Sequence, residues 1–260
     1  MASEGVLLLP PSKGKAAGGA SNPFGATLSD GRPLTAARRQ VLAAAQAAAT
    51  GDDAFIARIA GVRRIDVDAA RERLASLATA ATMPASQRYT GIVHSNTGLP
   101  AMDPGSLAGR VFIVSALLGV VAADEPVPDY RLEFSASLPN IGGLATWWRQ
   151  QAHNYLAGLI RSKLVWDLLP GEHARIWPSD RDSILDANTH LVTFRFLNPK
   201  GRSANAARTK VAKGRLAATL LQDLTISPAE LVNVADLGDG WTCEVTSTGT
   251  HTEIIATCSL

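Results

Sequence analysis

Arg195, Lys200, Arg202, Arg208, Lys210, Lys213 and Arg215 crowd one stretch of the chain, and no acidic residue lies between Asp186 and Asp223. Positive charge of this density attracts polyanions, above all nucleic-acid phosphates, unless it only solvates an ordinary helix and loop. The chain as a whole carries a net charge of +2 with a pI near 8.7, so its basicity is concentrated here. Tyr130, Arg131 and Glu133 form a second group. In an extended segment Arg131 and Glu133 project to the same side, where the carboxylate either orients the guanidinium toward an anion or locks a loop as a structural ion pair. Ser12, Lys13 and Lys15 form a third group, in a glycine-rich loop that either holds a phosphate or is a mobile surface segment.

Other chemistries find little support. His94, His153, His173, His190 and His251 show no i, i+3 or i+4 pairing, so no metal site is expected and no cofactor is inferred. There is no Gly-x-Ser-x-Gly elbow and no Cys/His nucleophile signature. His173 beside Glu172 could titrate near neutrality, although an exposed loop histidine reads the same way. Cys243 and Cys258 have neither zinc nor redox spacing and are expected to be ordinary thiols, able to pair only if adjacent on a hairpin.

These groups need a scaffold, and the composition can build one. With 260 residues, 46% hydrophobic and 18% charged, the chain can bury a substantial core. The longest apolar run, Val111–Ala123, falls short of the roughly 18 residues that span a bilayer, and Met1–Pro10 lacks the basic start of a signal peptide. A cytoplasmic protein with no membrane association is expected.

Val6–Leu9 reads as a buried strand stopped by Pro10 and Pro11, followed by a loop to about Arg32. Thr35 is a plausible N-cap for an alanine-rich helix, Ala36–Ala49. Two further helices, Asp53–Ala60 and Asp66–Thr79, are linked by Gly61, Val62, Arg63 and Arg64. Strands are expected at Arg88–His94, Arg110–Val114, Leu164–Leu169 and His190–Leu197. A helix is expected over Leu144–Ile160, a basic helix from Ser203 to about Asp223, and a terminal hairpin from Gly240–Val245 and Glu253–Thr257. No internal repeat is present. The sum is an α/β fold with a mixed β-sheet flanked by helices, one compact domain over residues 1–260, with residues 52–81 as a possible helical insertion.

Several segments also resemble a known family. Leu8, Leu9, Pro10, Pro11 and Ser12, then Tyr89, Thr90 and Gly91, then Ser115 to Val120, Asp129 to Glu133, the Trp148 helix and Lys210 to Leu216 occur in the order and spacing seen in the YaaA family of peroxide stress proteins, in its high-GC bacterial form. The resemblance implies a cytoplasmic protein that binds DNA and limits oxidative DNA damage, built as an α/β body with a basic cleft and a helix-hairpin-helix element. DNA would be the partner, with little sequence preference, and no obligate protein partner is inferred.

The residues are compatible with that expectation. At about 100° per residue, Lys210 and Lys213 fall about 60° apart on their helix, whereas Arg208 and Arg215 pair on nearly the opposite side. Lys210 and Lys213 match the family motif and are the preferred phosphate contacts, with Arg208, Arg215, Lys13 and Lys15 as further candidates. The hairpin candidate is Ile59 to Arg64. A Gly-hydrophobic-Gly turn would let backbone N–H groups approach phosphate, but Arg63 stands where the second glycine belongs. Arg63 and Arg64 can still reach phosphate, and a plain antiparallel helix pair is the alternative. Asp66 and Asp68 suit the dipole of the following helix and would repel DNA. A reading of another class also stands: an enzyme acting on a nucleotide or nucleic acid, with Ser12, Tyr89, Tyr130, Arg131 and Glu133 gathered in one pocket.

Overall fold

Gly5–Leu9 (β1) is buried at every position because it runs through the middle of a seven-stranded sheet. The structure is a computed structural model that describes residues 4–29 and 31–259. The other strands of this sheet are Val111–Ser115 (β2), Gly119–Ala122 (β3), Leu164–Asp167 (β4), His190–Leu197 (β5), Trp241–Thr248 (β6) and His251–Cys258 (β7). Their spatial order is β6-β7-β5-β4-β1-β2-β3. The interior pairs β2/β1, β1/β4, β4/β5 and β5/β7 are parallel, and the edges β2/β3 and β6/β7 are antiparallel. Unbroken apolar runs such as Val6–Leu9 and Val111–Val114 suit interior parallel strands, because helices cover both faces of such a sheet.

The principal helices are Thr35–Ala48 (α1), Asp53–Ala60 (α2), Val67–Ala75 (α3), Leu144–Gln151 (α4), His153–Ile160 (α5), Ala206–Gln222 (α6) and Pro228–Val234 (α7). The result is a single compact α/β domain with a mixed sheet, as expected. In α1 the buried face is Ala37, Val41, Leu42, Ala44, Ala45 and Ala48. Small side chains allow that helix close approach, and a buried Arg38 reaches past them to bond Leu118 O, Val120 O and the Glu125 carboxylate. Three indole N–H groups tie other layers together: Trp148 to Ala116 O at 2.8 Å, Trp166 to Leu224 O at 2.9 Å and Trp177 to Asp167 Oδ2 at 2.8 Å. Buried donors need such acceptors, and the tryptophans find them on other elements.

Several local expectations are corrected. Thr35 does not cap α1; its hydroxyl donates to Ser29 O, and Leu34, in a left-handed conformation with φ 61°, occupies the cap. The segment from Arg88 to His94 is no strand. Arg88 is fully buried and donates to the carbonyls of Val127, Ala16, Gly18 and Ala81, so the chain winds through the short helices Ala85–Arg88 and Ile92–Ser95 to serve it. The long helix expected from Leu144 is interrupted at Ala152. The terminal hairpin forms and also joins the main sheet, with β7 parallel to β5. Cys243 lies opposite Ala256 and Cys258 opposite Trp241, so the two thiols are not cross-strand neighbours. Among the described residues, no helix is long and apolar enough to cross a membrane.

Candidate functional site: a cation-lined cavity at the carboxyl ends of the parallel strands

The loops that leave β1, β4 and β5 at their carboxyl ends open onto one cavity of about 1040 Å³. This is where an open parallel sheet presents ligand sites, because the chain leaves the strands there and its loops splay apart. From β1 come Pro10 to Lys15; from β4, Leu169 to His173; from β5, Phe194 to Leu197 and then Gly201 to Ala204. Tyr130 to Phe134 form another wall, and α6 contributes Ala206, Thr209, Lys210 and Lys213.

Seven lysines and arginines line the space: Lys13, Lys15, Arg131, Arg195, Arg202, Lys210 and Lys213, against two carboxylates, Glu133 and Glu172. Four of the cations already have protein partners. Lys13 pairs with Glu133 at 2.6 Å, Lys15 Nζ donates to Ser12 O at 3.0 Å, Arg195 pairs with Glu253 at 3.5 Å and Lys213 Nζ donates to Leu168 O at 2.8 Å. Among the described residues, the side chains of Arg131, Arg202 and Lys210 have no such partner.

Two of the lysines are set deep. Lys213 is 7% exposed and lies over the Phe196 ring at 5.5 Å. Burial lowers its pKa to about 8, with Asp167 opposing the shift. Lys15 Nζ sits 4.0 Å from the centre of the Tyr130 ring and 5.4 Å from that of Tyr89. The ring faces favour an ammonium, but burial first and the Arg131 charge second bring Lys15 down to about 7.

The wall beneath Lys15 is a buried hydroxyl chain. Tyr130 OH lies 2.8 Å from Ser115 Oγ and 3.1 Å from Tyr89 OH, and Ser115 Oγ also accepts from the N–H groups of Leu117 and Leu118. Burial pushes both phenols upward, so they act as neutral, rigid supports. Alongside, His94 Nε2 bonds Pro10 O at 2.8 Å while its Nδ1 is buried without a partner, and burial lowers its pKa to about 4. That pattern fits an imidazole donating from Nε2 and kept neutral. His173 lines the cavity beside Phe134, and burial lowers it to about 4 as well.

The residues singled out from the sequence are thus divided. Ser12, Lys13, Lys15, Tyr130, Arg131, Glu133, Lys210 and Lys213 meet at one cavity, with Tyr89 directly behind Tyr130. Ser12 is engaged in the loop itself, donating to Gly14 O and accepting from Gly91 N. Glu133 pairs with Lys13, so the Arg131–Glu133 ion pair weighed above is replaced by another. Arg208 and Arg215 lie on the other face of α6, where Arg208 bonds Asp239 O and Arg215 pairs with Asp236.

Arg63 pairs with Asp66 at 3.1 Å, and Arg63 and Arg64 are both exposed outside the cavity lining. The turn between α2 and α3 is nevertheless seated beside the cavity. Ala60 lines it, Glu133 N donates to Ile59 O at 2.7 Å, and Gly61 (φ 60°) packs so closely on the Glu133 carboxylate that a Cβ there would collide with it. Sequence reasoning missed the Ser115 hydroxyl chain, His94 and the aromatic wall of Phe194 and Phe196. None carries a local sequence signal, because each acquires its role from a partner on a distant element.

The mixed sheet and the cavity at its carboxyl ends define an α/β protein whose main opening is lined predominantly by cations. A family model described as "Peroxide stress protein YaaA" matches residues 6–244, and the chain belongs to that family. A UPF0246 protein of Streptomyces coelicolor is 30% identical over 242 residues, covering 90% of each chain. One from Corynebacterium efficiens is 29% identical over 246 residues, again covering 90% of each, and one from Corynebacterium glutamicum is 31% identical over 173 residues, covering 66% of this chain and 69% of its own.

Proposed function

We propose that this member of the peroxide stress family binds DNA through its phosphates, using the cations around the cavity as a basic cleft. The observation that carries the reading is the imbalance of seven cationic against two acidic side chains at one opening, with three of the cations unpaired among the described residues. Contacts of this kind neutralise phosphate without reading base edges, so little sequence preference follows. The turn from Gly61 to Arg64 supplies a second, outer contact, with Arg63 and Arg64 reaching backbone phosphate. A cytoplasmic location accompanies this reading.

Enclosure favours a second component. A duplex is too wide for a cavity of about 1040 Å³, whereas a single nucleotide unit is not. Tyr130, Arg131, Glu133 and Ser12 share that space, which is the arrangement an enzyme acting on a nucleotide or nucleic acid requires. Fluorescence anisotropy with linear, bent and single-stranded DNA across a salt series tests the first reading. Salt-sensitive binding is expected, and absence of binding at low salt refutes it.

A further inference from the structure

We propose that Lys15 is an amine nucleophile that condenses with an aldehyde carried on a phosphorylated pentose admitted to the cavity. The inference rests on the phosphate-binding reading of the same site and adds to it a covalent step and a substrate class.

Among the lysines of the cavity, Lys15 alone combines depth, access and a weak hold on its proton. Lys13 is 67% exposed, and its Nζ is occupied by the Glu133 carboxylate at 2.6 Å. Lys213 is nearly sealed, with its Nζ on Leu168 O. Lys15 lines the cavity, remains partly exposed and is steered by the faces of Tyr130 and Tyr89. Its backbone is also fixed, by a bridge to Tyr89 and by the hydrogen bond from Thr90 N to Gly14 O. With its pKa lowered to about 7, a large fraction is the free amine at neutral pH, where an ordinary lysine is almost wholly protonated and unreactive.

A carbonyl carbon is the electrophile with which such an amine reacts reversibly. Arg131 and Lys210 on the same walls, unpaired among the described residues, fit the phosphate that must accompany it. In DNA the aldehyde found beside phosphates is the ring-opened deoxyribose at a site that has lost its base; free pentose 5-phosphates carry the same group. The free amine of Lys15 adds to the aldehyde carbon, a C–N bond forms and the carbonyl electron pair moves to oxygen, which takes up a proton. Loss of that oxygen as water, with a proton from nitrogen, leaves the imine. The step needs no oxidant or reductant.

Sodium borohydride reduces such an imine to a stable secondary amine, so the test is trapping. The full chain is incubated in one arm with a duplex containing an abasic site, and in the other with ribose 5-phosphate, with borohydride present, and the modified peptide is mapped by mass spectrometry. An adduct on Lys15 is expected in at least one arm, absent in Lys15→Arg and Lys15→Met and retained in Lys163→Gln. Its rate should rise as pH passes through about 7. Melting curves show whether the Lys15 variants fold, and Lys15→Arg keeps the charge if Lys15→Met does not.

Modification scattered over other lysines, an adduct undiminished in Lys15→Arg, or no adduct in either arm overturns the proposal. An adduct with ribose 5-phosphate alone assigns the aldehyde to a small molecule. Anisotropy on the same samples separates the two readings: DNA binding without an adduct overturns only the imine step, and an adduct on ribose 5-phosphate without DNA binding overturns only the DNA reading.

Discussion

Replacing Arg131, Arg202 and Lys210 together by alanine should flatten the salt dependence of DNA binding. The magnitude follows from which cations are already engaged. Lys13, Arg195 and Lys213 are bonded to Glu133, Glu253 and Leu168 O, and Lys15 is drawn to Ser12 O, so three side chains at the cavity are free to release counterions from phosphate. Each phosphate neutralised contributes about 0.9 to the slope of log K against log salt, so losing three should lower it by about 2.7. Between 50 and 200 mM salt, that is about 40-fold less loss of affinity in the variant than in the wild type. Anisotropy titrations at four or more salt concentrations measure the slope directly, and melting curves should be nearly unchanged, because none of the three side chains carries a structural bond among the described residues. The paired change Arg208→Ala with Arg215→Ala serves as the contrast, since those side chains lie on the other face of α6, on Asp239 O and Asp236. A slope unchanged in the triple variant, or reduced as much in the contrast variant, refutes the cavity as the phosphate site.

His94 should govern part of the acid limb of stability. Its folded pKa, about 4, lies below its ordinary value of 6.5, so the unfolded chain takes up a proton first. The stability it contributes is complete above 6.5 and is lost as pH falls toward 4, by about 3 kcal/mol in all. His94→Gln should flatten the denaturant midpoint over that window, and an unaltered profile would show that the imidazole is not the sensor. Tyr130→Phe should cost about 1–3 kcal/mol in urea unfolding, because it strips Tyr89 and Ser115 of a buried partner; a cost near zero would mean that water replaces it. Gly214→Ala should destabilise by about 1–3 kcal/mol, since its Cβ would fall 2.5 Å from both Asn96 Cβ and Val93 O where α6 crosses the short helix Ile92–Ser95. A wild-type midpoint for that variant would show that the crossing relaxes.

The architecture was legible where the signal is local. Unbroken apolar runs at Val6–Leu9 and Val111–Val114 mark interior strands, since a strand covered on both faces tolerates no polar alternation. The charge run from Arg195 to Arg215 marks the helix that walls the cavity, and its angular spacing separates Lys210 and Lys213 from Arg208 and Arg215. Where the signal depends on a partner far along the chain, the sequence was silent or misleading. Arg88 converts an expected strand into two short helices because four carbonyls from three separate segments converge on its guanidinium.

Composition, order of elements and family membership therefore belong to the sequence alone, because each is written in neighbouring residues. The chemical character of the site belongs to the tertiary structure. Lys13, Lys15, Lys210 and Lys213 are the same side chain in the sequence, and only folding makes one an exposed ion-pair partner, one a half-buried amine near pKa 7, one a free surface cation and one a sealed donor to a carbonyl. Desolvation and the nearest charge set each lysine's hold on its proton, and both are properties of the space that distant strands and loops enclose.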